Sequence, residues 1–456
     1  MKNQFNDPKA QYEKMVGTPI PKLVTSLAIP TVISMLVTSL YNMADTFFVS
    51  QINTEASAAV GICFPIMSII QAIGFVLGMG SGSIVSRRLG EEKNDTACKV
   101  ASTGFWTAIV IGVLLALFGN VFIEAMLRLV GASETILPYA EDYTYYILYG
   151  APFMCSIFVL NNLLRSEGKA FFSMVGTIIG CILNIILDPI MIFGMGMGIR
   201  GAALATFIGQ IISFLILLWM FLSKKTICTL KIKDFRFGKG FFWYIIATGL
   251  PSLGRQGLAA ISSILLNRTA GMYGDAAIAA MSIATKICMF VASVMIGIGQ
   301  GYAPVAGYNY GAKRYDRVRK STYFMVSAST GLMAFIALVC FIFAPQILKA
   351  FRNDAAVIAI GTAALRWQIA FTPLHSPIVA TNMLMQSTGH IPSSTFLSCT
   401  RNGICFIPLI IVLPIFFGIF GVETAQAFAD ILSIIIALPF MIGFLNKLKV
   451  MEKSES

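Results

Sequence analysis

Apolar residues in this chain come in runs far longer than a globular core requires. About twenty such residues cross hydrocarbon as a helix. Twelve runs of that length or more fall at 22–50, 56–86, 97–119, 136–162, 170–196, 199–222, 241–268, 275–305, 321–346, 356–386, 394–417 and 419–446. Short polar stretches separate them. The pattern predicts an all-α integral membrane protein of twelve transmembrane helices, the longer spans tilting or projecting beyond the lipid. Composition agrees: 57% of the 456 residues are hydrophobic and 12% charged, where soluble domains carry roughly a quarter charged residues.

The twelve spans are two sets of six. Pro30 and Pro251, Gly80 and Gly301, Gly90 and Gly311, Pro152 and Pro373, Asn161 and Asn382, and Gly168 and Gly389 all lie 221 residues apart. Asn184 and Asn402 align after a small deletion. Six spans return the chain to its starting side, so the halves are parallel and related by an axis along the membrane normal. The expected division is an N-terminal lobe over 1–222, a basic linker over 223–240 and a C-terminal lobe over 241–456 with a short tail.

Charge supplies direction. One set of span ends holds 24 of the Lys and Arg residues and the other six, three more lying within spans. The positive-inside rule then makes both termini and the linker cytoplasmic. The net charge of +12 is thus a topology signal that touches anionic lipid, and it does not indicate nucleic acid. Nine scattered cysteines form no CxxC pair, and His375 and His390 stand apart. Neither set proposes a metal, and no Ser/His constellation proposes an intramembrane enzyme. The GMGSG string lacks the Gly-Lys-Ser/Thr of a nucleotide loop.

The chemistry concentrates in LNIILDPI, residues 183–190. An ionised carboxylate is costly at membrane depth, so Asp188 is expected to face a protein interior or a wet cavity. Asn184 lies one turn earlier on the same helical face. Pro189 displaces the carbonyl of Ile185 from the helix ladder. Carboxylate, amide and freed carbonyl converge where a proton or small cation can be held. Asp45 is either an interfacial acid wetted from outside or a second carboxylate in the same cavity. In the latter case the two suppress each other's ionisation and exchange a proton near neutral pH. Met35, Phe64, Met67, Phe153, Met281, Met289 and Phe290 either line a greasy central cavity or simply pack.

Taken together, the chain resembles the multidrug and toxic compound extrusion (MATE) transporters, most closely their MepA-like branch. The resemblance rests on the twelve spans in parallel halves, on ADTFFVS around Asp45, on the SRRLGEEK and RSEGKA loops, and on LNIILDPI. It implies an ion site in the first lobe formed by Asp45, Tyr143, Asn184 and Asp188, with Pro30, Asn161 and Thr206 in a supporting network. Tyr145, Tyr146 and Tyr149 compete with Tyr143. Occupancy of the site is implied to bend span one at Pro30. The activity implied is secondary active multidrug efflux of amphipathic and cationic compounds in exchange for H⁺ or Na⁺, by alternating access. The protein would be a non-enzymatic monomer in the bacterial cytoplasmic membrane, needing no cofactor beyond the coupling ion. Its partners would be drugs, organic cations and lipids.

Some similar transporters place acids of spans seven and ten in a C-terminal cation site. Here Arg255 and Gln256 occupy span seven, and Arg366 is the only charge in span ten. The second half instead offers Arg255, Lys286 and Asp430 as polar candidates, besides Arg401 and Glu423. A structural pair of Asp430 with Arg255 or Lys286 is weighed against substrate binding. The basic residues also leave open a lipid-linked glycan flippase of the same superfamily.

Overall fold

The structure, a computed structural model, describes residues 7–238, 240–351 and 354–455. Lys2, Lys239 and Arg352, used in the charge argument, lie outside these. Seventeen α-helices run through the described residues, and no strand is among them. A short α1 (Pro8–Gly17) precedes α2 (Ile20–Ser50), α3 (Thr54–Gly90) and α4 (Asn94–Val121). Next come the short α5 (Ile123–Leu129), then α6 (Leu137–Ser166), α7 (Ala170–Pro189) and α8 (Ile199–Leu222). The second half holds α9 (Phe242–Gly271), α10 (Asp275–Gly311), α11 (Tyr315–Ile342), α12 (Ala344–Phe351) and α13 (Ala355–Ala370). It ends with α14 (His375–Thr388), α15 (Ile391–Cys399), α16 (Ile407–Phe417) and α17 (Ile419–Glu455).

Eleven stretches among the described residues are long and apolar enough to cross a membrane, some of them joining two helices. The thirty-residue α9 falls outside that set because Arg255 and Gln256 interrupt its apolar run. With α9 the expected twelve are present.

Helix ends follow local chemistry. The Asn53 side chain caps α3 by accepting from the Ala56 amide at 2.7 Å, and Asp354 caps α13 through the amides of Ala356 and Val357. Both satisfy donors that a first turn leaves open.

The chain forms two compact units, Met1–Gly17 with Ile33–Gly249, and Thr18–Val32 with Leu250–Ser456. In the first, α6 packs on α3, α4 and α8, and α7 packs on α8. In the second, α10 packs on α11, α13 and α14, and α17 on α13, α14 and α16. These boundaries differ from those expected. The start of α2 counts with the second unit and the start of α9 with the first, the changeovers falling within two residues of Pro30 and Pro251. A proline removes one helix hydrogen bond and crowds the carbonyl four residues back, which lets one continuous helix serve two packing environments.

The linker also differs from a free tether. The Glu167 carboxylate accepts from the amides of Ile227 at 2.8 Å and Cys228 at 2.9 Å. Ser102 Oγ donates to the Thr229 carbonyl at 2.8 Å and the Trp106 indole to that of Leu230 at 3.3 Å. Residues 226–230 are therefore docked on the first unit.

Candidate functional site

Close contact of α7 and α8 creates the site. A Cβ built on Gly209 would stand 2.9 Å from the Gly180 carbonyl oxygen and 3.3 Å from the Asn184 Cβ. Glycine at these two positions brings the backbones near enough for Asn184 to reach Thr206. Only one orientation of the Asn184 amide satisfies its neighbours. Its oxygen accepts from the Thr206 amide at 2.9 Å and hydroxyl at 3.0 Å, and its NH₂ donates to Asp188 at 3.0 Å. Asp188 is fully buried. Pro189 follows, and a π-helical turn at Ile190–Gly194 absorbs the interrupted ladder.

Two other helices bring the remaining groups. On α2, Asp45 is buried and lies beside the Tyr143 hydroxyl of α6. That hydroxyl also lies 3.9 Å from the Met67 sulfur. Tyr41, one turn before Asp45, lies beside Thr206. Asp45 is near enough to act electrostatically on Asp188. No basic side chain is among the groups acting on either. One oxygen of each, Oδ1, is buried without a hydrogen-bond partner.

This buried polar cluster has hydrogen-bonding capacity to spare. Two ionised carboxylates repel in a weakly screening interior, and an unsatisfied buried oxygen is costly. A proton taken up by one of them, or one small monovalent cation, would relieve both penalties. Among the described residues no group of three or more His, Cys, Asp and Glu could hold a metal ion.

The structure thus brings together Asp45, Tyr143, Asn184, Asp188 and Thr206. It separates two other expected members. Asn161 bonds Ser173 at 2.8 Å and Thr177 at 3.1 Å, about eleven residues up α7 from Asp188 and so about 16 Å away along the helix. Pro30 lies fifteen residues from Asp45 along α2, about 22 Å. Of the competing tyrosines, Tyr145 and Tyr149 are exposed and stacked edge-on at 4.7 Å, whereas Tyr143 is buried. Sequence reasoning passed over Tyr41, although its i−4 spacing from Asp45 put it on the right face.

In the second unit the expected partner of Asp430 is corrected. Arg401 holds it, with Nε at 2.6 Å and Nη2 at 3.3 Å, rather than Arg255 or Lys286. Lys286 is exposed. The reason is local: Arg401 sits on a π-helical turn, Thr400–Phe406, which shifts its direction relative to a regular helix and presents it to α17.

Comparison with known proteins adds to this geometry. The family model MatE matches twice, at residues 30–190 and 251–412, and the two matches start at the same 221-residue offset that the sequence repeats. The multidrug export protein MepA of Staphylococcus saprophyticus is 26% identical over 431 residues, covering 94% of each chain. MepA of Staphylococcus aureus strain N315 is 25% identical over 423 residues, 92% of this chain and 93% of that one. Among solved structures, MATE in complex with MaL6 aligns with a TM-score of 0.91 at 27% identity, over 96% of this chain and 99% of that one. The outward-facing conformation of a multidrug resistance MATE transporter of the MOP superfamily gives 0.91 at 26% identity, over 96% and 98%.

Proposed function

The chain belongs to the MatE family, and from that premise we propose that it is a secondary active multidrug exporter driven by H⁺ or Na⁺ through Asp45 and Asp188. It spans the membrane many times; in the proposed orientation both termini face the cytoplasm, following the charge asymmetry. The relatives named for multidrug export, matched over nearly their whole length, support drugs as the cargo, and amphipathic and cationic compounds are the class proposed. The observation that carries the coupling is the pair of buried acids, each with an unpartnered oxygen and neither acted on by a basic side chain.

An ion entering from outside neutralises the acid pair, and Asn184, Thr206, Tyr41 and Tyr143 take up the altered hydrogen bonding. The first unit then favours a different arrangement, and the substrate binds that arrangement less tightly. Binding of substrate from the inner side favours the ion-free form in return, because coupling of two ligands is reciprocal. Exchange therefore needs a differential affinity between the two states and not merely tight binding. Pro30 serves as the point at which α2 yields.

The test is Asp188→Asn in vesicles loaded with a fluorescent organic cation, with pH and sodium gradients imposed separately. The expected result is loss of the gradient-dependent component, with normal amounts of folded protein. Undiminished gradient-driven efflux by that variant would remove the site from the mechanism.

A further inference from the structure

The second unit carries its own buried polar cluster. Arg255 is near the middle of α9, and Arg401 lies on the π turn that follows α15. These elements touch directly: Ser262 Oγ donates to the Asn402 carbonyl at 2.8 Å, and a Cβ on Gly254 would meet Cys399 Sγ at 2.9 Å. The two arginines therefore start from neighbouring backbones. Both act electrostatically on His375, the buried first residue of α14. Asp430, 1% exposed, neutralises Arg401 and also accepts from Gln426 at 3.2 Å.

One charge is left over. Arg255 is half-buried and makes no hydrogen bond or ion pair with any described residue. Next to it the Gln256 amide nitrogen is buried without an acceptor. A guanidinium at mid-span facing hydrocarbon would be heavily penalised, so its accessible part belongs in a protein-lined, wet recess. A buried structural arginine is matched by an acid, as Arg401 is; Arg255 is not. What this guanidinium lacks is an oxyanion.

We propose that Arg255, with Gln256 beside it and the Arg401–Asp430 pair as backing, binds the carboxylate of amphipathic substrates, so that acids and zwitterions are bound as well as cations. The guanidinium fork offers two parallel N–H donors that match a carboxylate, and the glutamine amide supplies a third. The transport consequence rests on the exporter reading above, but the binding does not depend on Asp188 or on any gradient.

The experiment is equilibrium binding to the purified full-length protein in detergent, followed by fluorescence polarisation. The probes are a rhodamine bearing a free carboxylate and the ethyl ester of the same dye. Arg255→Gln is expected to weaken the acid by about tenfold and the ester by less than about twofold. Arg255→Lys keeps the charge but loses the fork, and is expected to weaken the acid by an intermediate factor with the ester unchanged. That variant decides the matter should the glutamine variant not fold. Competition with dihexanoyl phosphatidic acid separates the two sources of oxyanion: displacement of the acid probe in the wild type, lost in Arg255→Lys, shows that a lipid phosphate uses the same recess. Equal responses of acid and ester to either substitution, or no response, would overturn the proposal. Normal acid binding with lost gradient coupling in Asp188→Asn would leave it standing by itself.

Discussion

The two halves are built on one scaffold and differ in what they bury. Asn161 bonds Ser173 and Thr177 in the first half; Asn382 bonds the Ser394 carbonyl at 2.9 Å and Ser398 at 2.7 Å in the second. These are the same positions 221 residues on. The shared latch therefore joins consecutive spans in both halves, whether or not an acid is present. The acid pocket is not shared. Asp45 and Tyr143 correspond to Leu266 and Ala364, and Asp188, at the 218-residue offset set by Asn184 and Asn402, corresponds to Phe406. All three counterparts are buried. Packing was duplicated and kept, while the paired acids without a basic partner occur in one copy.

On the proposed mechanism, that contrast assigns Asn161 a structural role and coupling to Asp45 and Asp188. It also explains how both units hold together around such different contents. The second half fills the position of a carboxylate with an aromatic ring, and pairs its buried Asp430 with Arg401. The first half leaves the carboxylates uncompensated.

Substitutions can break or sharpen the comparison. The largest effect is expected for Glu167→Ala. Its carboxylate holds Lys169 at 2.7 Å, both side chains being almost fully buried, together with two linker amides. Removing it strands a buried ammonium and should cost about 3–5 kcal/mol of stability. Thr388→Ala, at the corresponding place in the second half, should cost only about 1 kcal/mol; thermal denaturation of both variants reads the difference. Phe406→Ala should likewise destabilise by about 3–5 kcal/mol, yet leave the ion dependence of efflux intact. Asp188→Asn should do the reverse, abolishing ion dependence at little or no cost in melting temperature. Next come Asn161→Ala and Asn382→Ala, each expected to lose about 1–3 kcal/mol with unchanged coupling; a selective loss of coupling in the first alone would return Asn161 to the ion site. The smallest effect is expected for Tyr143→Phe, which should change stability by less than about 1 kcal/mol and be seen only as a shift in the pH at which efflux is half-maximal.

Much of this was legible in the chain. A constant offset between prolines, glycines and asparagines exposed the duplication, and an acid within a run of twenty apolar residues is rare enough to mark a site. Asn184 and Thr206 met as expected because glycines at 180 and 209 let their helices approach. Other features depend on distances that periodicity does not encode. Which of three basic residues would meet Asp430 turned on a π-helical turn, and no hydropathy pattern announces one. The exchange of packing partners near Pro30 and Pro251 could not be seen either, since a proline in a helix permits a division without requiring it. The docked linker was hidden for a similar reason: its contacts are backbone groups, and Glu167 in a loop motif gave no sign of being the acceptor.

The central claim is that substrate and ion compete through the acid pair of the first half. Its most direct test is ion release on substrate binding: purified protein in a weakly buffered solution, an organic cation added, and proton or sodium release recorded. The account predicts release from the wild type and none from the Asp45→Asn/Asp188→Asn double variant, which still binds the cation. Equal release from both proteins would contradict it.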